Sequence, residues 1–164
     1  MLIRQATKDD WDSIWPILRR IAADGDTFCC DPDITDGQAY TMWFPPPPAR
    51  TVVAVADEGA VVGTAVLRPN HGGPGAHVAN ASFAVDYDHR GHHVGRRLGE
   101  HVLALARQDG YCAIQFNAVV ETNTHAVALW MSLGFTVLTT VPEAFHHPIA
   151  GYVGLHIMHR TLSG

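Results

Sequence analysis

The stretch from Val78 to Leu98 narrows most sharply what this chain can fold into. Val78-Ala79-Asn80-Ala81-Ser82-Phe83-Ala84-Val85 reads as the body of a strand over His77–Asp86. Val94, Leu98, Val102, Leu105 and Ala106 then recur at helical spacing, and Gly110 closes that helix. The joint between them is Asp86-Tyr87-Asp88-His89-Arg90-Gly91-His92-His93-Val94-Gly95-Arg96-Arg97-Leu98. A strand that turns straight into a helix leaves backbone N–H groups unpaired at the positive helix end, which suits an anion. Gly91 and Gly95 permit close backbone approach, and Arg90, Arg96 and Arg97 add positive charge. A diphosphate is the natural guest; the plain alternative is a basic helix start with a glycine turn. A P-loop is excluded, because no Gly-x-x-x-x-Gly-Lys-[Ser/Thr] string is present. Gly91-His92-His93-Val94-Gly95 also fails the Gly-x-Gly-x-x-Gly dinucleotide pattern.

The flanking segments supply the rest of a sheet. Leu2–Ala6 reads as a strand, and Thr7-x-x-Asp10 has the form of a capping box before a helix with stripe Trp11, Ile14, Trp15, Leu18, Ile21 and Ala22. Pro16 falls inside that stripe and predicts a kink or break. A short helix is expected over Asp36–Trp43, stopped by Pro45–Pro48. Thr51–Ala56 and Ala60–Arg68 read as a hairpin around Asp57-Glu58-Gly59, and Pro69–Gly75 as a loop. Ala113–Val119 is a strand, Asn123–Leu133 a helix closed by Gly134, Phe135–Val141 a strand, and Gly151–Arg160 the last strand after a Pro- and His-containing loop. The order β-α-α-β-β-β-α-β-α-β-β predicts one mixed α/β domain over residues 1–164, antiparallel early and locally parallel or splayed late.

Composition removes several classes. With 11 Lys and Arg against 16 Asp and Glu, net charge −5, no basic patch for nucleic acid or an anionic membrane is expected. The three cysteines, Cys29, Cys30 and Cys112, are odd in number and form no Cys-x-x-Cys pair. A disulfide framework and a zinc site are therefore not expected, no metal is assigned to the eleven scattered histidines, and Cys112 is expected to be a small core residue. No apolar leader or membrane span is evident, so a cytoplasmic protein is expected.

Two segments together resemble a known family. Arg90–Leu98 resembles the acetyl-CoA motif of GNAT acetyltransferases, Arg/Gln-x-x-Gly-x-Gly/Ala: Arg90 and Gly95 match, and His93 replaces the middle glycine. Thr122–Phe135 resembles the family's Asn-x-x-Ala-x-x-Leu-Tyr-x-x-Leu-Gly-Phe segment through Asn123, Ala126, Leu129, Leu133, Gly134 and Phe135. The order and spacing of the two motifs agree with the family, and the likeness covers nearly the whole chain. It implies a central mixed, splayed sheet of about seven strands flanked by about four helices. It implies acetyl-CoA as co-substrate, a small-molecule amine as acceptor, and a homodimer in keeping with the family's habit.

Residue roles follow from the same resemblance. The strand before the first motif would carry a bulge, and its backbone at Phe83 and Val85 would pair with the pantetheine arm and polarise the thioester carbonyl. Arg90, Gly91, His92, His93, Val94, Gly95 and Arg96 would hold the pyrophosphate. Asn123 would bond the pantetheine, or cap its helix, or both. The family's usual tyrosine acid is replaced by Trp130, and the strand before Asp86 carries no glutamate base. Asn80 and Asn117 are the catalytic and substrate-binding candidates, because asparagine is depleted in strands and a buried amide must be bonded. Their blocks, with Pro142–Pro148 and Gly151-Tyr152-Val153, resemble a GNAT branch that acetylates proline-like amino acids such as azetidine-2-carboxylate. In that branch a water held by Asn117 would take the amine proton. The alternative is that both asparagines satisfy backbone groups at a bulge. Tyr152 is a substrate-contact candidate against a sheet-packing role, while His77 and His125 are read as solvent-facing. Two other functions stay open: acetylation of a protein N-terminus or lysine, and a non-catalytic acyl-CoA-binding module.

Overall fold

The computed structural model describes residues 1–162. Its strands are β1 (Leu2–Gln5), β2 (Arg50–Val55), β3 (Val61–Pro69), β4 (Val78–Val85), β5 (Ala113–Val120), β6 (Thr136–His147) and β7 (Gly151–Thr161). Its helices are α1 (Trp11–Asp24), α2 (Asp36–Trp43), α3 (Val94–Gln108) and α4 (Thr124–Ser132). All seven strands join one sheet in the order β1-β2-β3-β4-β5-β7-β6, so the expected mixed architecture forms. The one parallel pair is β4 with β5.

The two sheet faces bury different helices because side chains alternate along each strand. Ala65, Leu67, Ala79 and Ala81 face Val94, Leu98 and Val102 of α3. Val53, Val66 and Ala84 face Ile14, Leu18 and Trp43 of α1 and α2. Trp43 is fully buried, and its indole N–H donates to Thr64 Oγ1 at 2.9 Å, so the one polar atom it carries inside is satisfied. Gly99 sets how closely α3 meets α4: a Cβ there would stand 2.6 Å from Leu133 Cδ1.

Several expectations are corrected. Helix α1 continues through Pro16 without a break. Pro16 and Asp12, whose carbonyl loses its partner, both lie on the exposed face where water can bond that oxygen. Strand β6 does not stop at Val141 but runs to His147, accommodating Pro142 and Glu143 in a register shift between Val141 and Phe145, with Glu143 at φ 52°. Cys112 is exposed rather than in the core, because it sits just outside the start of β5.

The chain's start is pinned by Asp10. Its carboxylate accepts two bonds from the Arg4 guanidinium at 2.7 and 2.8 Å and one from the Thr7 N–H at 2.7 Å. The Arg4 hydrogen bonds dominate in holding its pKa down, to about 2 from 3.8, against the opposing effect of burial. A depressed folded pKa contributes stability that is complete above about pH 5 and lost as pH falls from about 4 to 2. The contribution is about 1–2 kcal/mol, discounted because the Arg4 side chain keeps 42% of its exposure. Chemical denaturation of Asp10→Asn should therefore show a deficit of that size at pH 6 that shrinks toward pH 2. A deficit independent of pH would contradict the assignment.

Candidate active site

The sheet opens where β4 and β5 part. The two strands pair only at Val78↔Ala113 and Ala79↔Ile114. Against β3, in contrast, β4 keeps an unbroken register from Pro69↔Ala79 to Gly63↔Val85, so the bulge expected in β4 is absent. The irregularity lies instead in β5, whose register against β7 shifts between Phe116 and Val119. A bulge bends its strand, and here it carries β5 away from β4. An aromatic wedge fills the fork: Trp130 of α4 lies 4.6 Å from Phe83 and 4.9 Å from Phe116 between ring centroids, and Phe135 stacks on Phe116 at 4.3 Å.

The gap exposes backbone along β4. Asp86 N–H bonds the Val62 carbonyl and Asn70 N–H bonds the Val78 carbonyl, which fixes the alternation. Asn80, Ser82 and Ala84 turn their backbone groups to β3; Ala81, Phe83 and Val85 turn theirs to the gap. Phe83 and Val85 thus offer N–H and C=O groups that have no strand partner on that side. An extended chain of suitable length could add there as a strand would.

A cleft of about 1030 Å³ occupies the fork. Its lining includes Asn80, Phe83, Val85, Arg90, Gly91, His93, Val94, Gly95, Arg96, Asn117, Asn123 and Trp130, so most of the residues singled out from sequence converge. Two do not. The Tyr152 side chain is 70% exposed and packs beside His146 at 4.8 Å, outside the cleft, because β7 meets β6 there rather than β5. His92 is exposed beside His89 and does not line the cleft either.

The α3 end of the cleft is an uncapped helix start. No side chain caps this helix, and the first intrahelical bond from its start is Arg97 N–H to the His93 carbonyl, at 3.0 Å. The preceding first-turn N–H groups have no helical acceptor and carry the positive end of the helix dipole. His93 holds the turn at φ 60°, ψ 15°, the left-handed region where glycine is the easy residue. This explains why a glycine is usual at that motif position and shows that a histidine can occupy it. Arg90 stacks on Tyr87 at 3.5 Å, and burial, with the carboxylates of Asp24 and Asp26 after it, pushes the Tyr87 phenol up to about 12. The ring therefore stays neutral and serves as a platform for the guanidinium. Arg96 is held by Ser132 Oγ at 2.6 Å. Free N–H groups, two guanidiniums and an open strand edge in one cleft fit the pyrophosphate and pantetheine of acetyl-CoA.

The two asparagines stand near the fork. Asn80 is buried and donates from Nδ2 to the Gln115 carbonyl at 2.9 Å, taking the place of the ladder bond lost where the strands separate. Its Nδ2 thus satisfies a backbone carbonyl beside the fork. Asn117 is exposed in the β5 irregularity; it accepts from Gln115 Nε2 at 3.0 Å and donates to Asn70 Oδ1 at 2.7 Å. Asn123 is an N-cap, accepting from the Ala126 N–H at 3.2 Å. His77 is exposed and His125 lines the cleft rim.

Sequence reasoning missed the wall contributed by the segment after α1, by α2 and by the end of β3. Asp26, Phe28, Cys29, Cys30, Met42 and Arg68 line the cleft. Burial raises both Cys29 and Cys30 thiols, so neither is a thiolate nucleophile at neutral pH. Asp26 is the one carboxylate among the lining residues, and its Oδ1 is buried without a hydrogen-bond partner. No periodicity marks these residues, because irregular chain carries several of them. Among the described residues, no group of three His, Cys, Asp or Glu is placed to hold a metal.

Comparison with known proteins bears on this geometry. A model described as the acetyltransferase (GNAT) family matches residues 11–135. The chain is similar to a GCN5-related N-acetyltransferase from Kribbella flavida, 54% identical over 98% of this chain and 96% of that one, with a TM-score of 0.95. It shares its fold with a phosphinothricin acetyltransferase from Sinorhizobium meliloti solved with acetyl-CoA, 18% identical over 99% and 88% of the two chains, TM-score 0.88. It is also 29% identical over 99 residues to the N-acetyltransferase aca1 of Schizosaccharomyces pombe, 60% of this chain and 47% of that protein. The chain thus spans about half the length of that curated relative. By its matched motifs, its splayed sheet and these likenesses, the chain belongs to the GNAT acetyltransferase family.

Proposed function

We propose that residues 1–164 are a single N-acetyltransferase domain that moves an acetyl group from acetyl-CoA to the amine of a small molecule, an amino acid or proline analogue. The observation that carries the reading is the meeting, in one cleft, of the uncapped α3 start and the unpaired Phe83–Val85 edge. Bound acetyl-CoA would supply the acetyl group as a thioester. The first-turn N–H groups of α3 with Arg90 and Arg96 would hold its diphosphate. The Phe83 and Val85 backbone would align the pantetheine, with one N–H polarising the carbonyl. Asn123 would add a side-chain contact. Asn80 and Asn117, close to the fork, would position the amine, and a water on Asn117 would take its proton. The amine would attack the thioester carbonyl directly, with CoA leaving as the thiol.

The Sinorhizobium meliloti acetyltransferase solved with acetyl-CoA supports the co-substrate. The motif resemblance supports a proline-like acceptor. We further assign the protein to the cytoplasm, on the free thiols of Cys29, Cys30 and Cys112. No described helix is long and apolar enough to cross a membrane. A homodimer is favoured by β6, an edge strand that leaves Val137, Leu138 and Val141 exposed. Sedimentation equilibrium at micromolar concentration tests this, and a monomer there would rule the dimer out.

Thiol release from acetyl-CoA against amino acids, proline analogues, polyamines and short peptides tests the reaction. CoA freed with a small amino acid supports it. CoA freed only with peptides would point to a protein amine. Acetyl-CoA binding without turnover on any amine would identify a binding module. Within the active enzyme, Asn117→Ala is expected to lower kcat about tenfold while changing acetyl-CoA affinity less than twofold. Equal effects on both would remove Asn117 from its assigned role.

A further inference from the structure

We propose that Arg68 binds the carboxylate of the acceptor, so the acceptor is an α-amino or α-imino acid. The inference rests on the acetyl-transfer reading and deepens it by naming the chemistry that selects the substrate.

Arg68 lies near the end of β3, opposite Asn80 in the β3–β4 register. Directly opposed residues share a sheet face with Cα atoms roughly 5.5 Å apart. Arg68 and Asn80 both line the cleft. Their face is the one covered by α1 and α2, away from α3. From Asn80 to Val85 is five residues of strand, roughly 17 Å. Arg68 therefore stands at the opposite end of β4 from the diphosphate site and cannot serve it.

The Arg68 guanidinium is half-buried and unneutralised. Among the described residues, no carboxylate lies within 4.0 Å of it. Its one hydrogen bond is a long contact to the Met42 carbonyl at 3.4 Å. Desolvation pulls its pKa below the ordinary arginine value, with no opposing charge to restore it. It nonetheless stays protonated at neutral pH.

The other two cleft guanidiniums stand at the α3 start, where Arg90 stacks on Tyr87 and Arg96 bonds Ser132, and belong to the diphosphate end of the cleft. Burying a charge without a partner is unfavourable, and arginine presents a planar fork that fits a carboxylate bidentately. Asp26, the one lining carboxylate, does not pair with Arg68, so the wall keeps a separate cation and anion. An acceptor carrying both a carboxylate and an amine matches that wall. With Arg68 and Asn80 side by side, the two groups must be close together. That spacing favours an α-amino or α-imino acid over a polyamine, a protein lysine or a chain N-terminus.

The test compares kcat/KM for the amino acid selected by thiol release and for its primary amide, in the parent, Arg68→Met and Arg68→Lys. The expected result for Arg68→Met is a loss of about tenfold or more on the free acid, mainly in KM. Loss on the amide is expected to stay below about twofold, with KM for acetyl-CoA unchanged. Arg68→Lys should recover part of the loss. The melting temperature of Arg68→Met should not fall, since an unpaired buried charge is removed. Equal losses on acid and amide, or a parent that prefers the amide, would overturn the inference while leaving acetyl transfer intact. Calorimetric binding of N-acetylproline to parent and Arg68→Met gives a readout independent of turnover. Arg68-dependent binding in a parent that acetylates nothing would sustain the carboxylate site and discard the transfer reading. Neither turnover nor binding would discard both.

Discussion

Gly95→Trp is expected to weaken acetyl-CoA binding about 100-fold, or about 2.7 kcal/mol, while the chain stays folded. Gly95 lies in the first turn of α3 on the cleft wall. A Cβ there would meet Leu129 Cδ2 at 3.3 Å and Val85 Cγ2 at 3.9 Å. The first contact is with the end of a flexible side chain, so a methyl group needs a shift of only tenths of an ångström. An indole is far larger than that gap and would intrude on the cleft that Gly95, Leu129 and Val85 line. Gly95→Ala is the control and should bind within about threefold of the parent, a change of about 0.7 kcal/mol. Isothermal titration with acetyl-CoA reads both variants. Undiminished affinity in the tryptophan variant would move the co-substrate away from the α3 start.

Trp130→Ala is expected to cost about 3–5 kcal/mol of stability. Trp130 is 7% exposed and sits between Phe83 and Phe116 at the fork. Its removal leaves a cavity between two strands that no hydrogen bonds join at that level, so the site cannot collapse onto a ladder. Folded domains hold only about 5–15 kcal/mol in all, so the variant should unfold roughly 1.5–2.5 M earlier in urea. Trp130→Phe, which keeps a ring in the wedge, should lose less than about 2 kcal/mol. An alanine variant within about 1 kcal/mol of the parent would show that the fork is held open by the β5 irregularity alone. The position where the family motif has tyrosine is thus occupied by a packing residue, which leaves proton delivery to other groups or to water.

Much of the architecture was legible because its signals are local. The hairpin around Asp57-Glu58-Gly59, the stripe of α3 and the closing Gly134 follow from turn chemistry and periodicity, and the structure forms each of them. The end of β6 was not legible. Pro142 reads as a strand terminator, yet an edge strand can absorb a proline in a bulge, and edge position is a tertiary property. The passage of α1 through Pro16 was hidden for the same reason, since the exposure of Asp12 and Pro16 decides its cost.

The site divides along the same line. Arg90, Gly95 and Asn123 were readable because a helix start imposes fixed residue choices at fixed offsets. Arg68, Asp26 and the Cys29-Cys30 wall were not readable, because no short-range rule connects them to β4. Sequence alone determined the element order, the glycine-flanked start of α3 and the family likeness, all of which rest on interactions within a few residues. Tertiary structure alone decided that the bulge lies in β5 rather than β4, that Asn80 bonds Gln115, that Tyr152 stands outside the cleft, and that Arg68 lines it with no carboxylate partner among the described residues. The physical reason is that register, burial and the pairing of charges depend on groups far apart in the chain, and only the closed sheet brings them together.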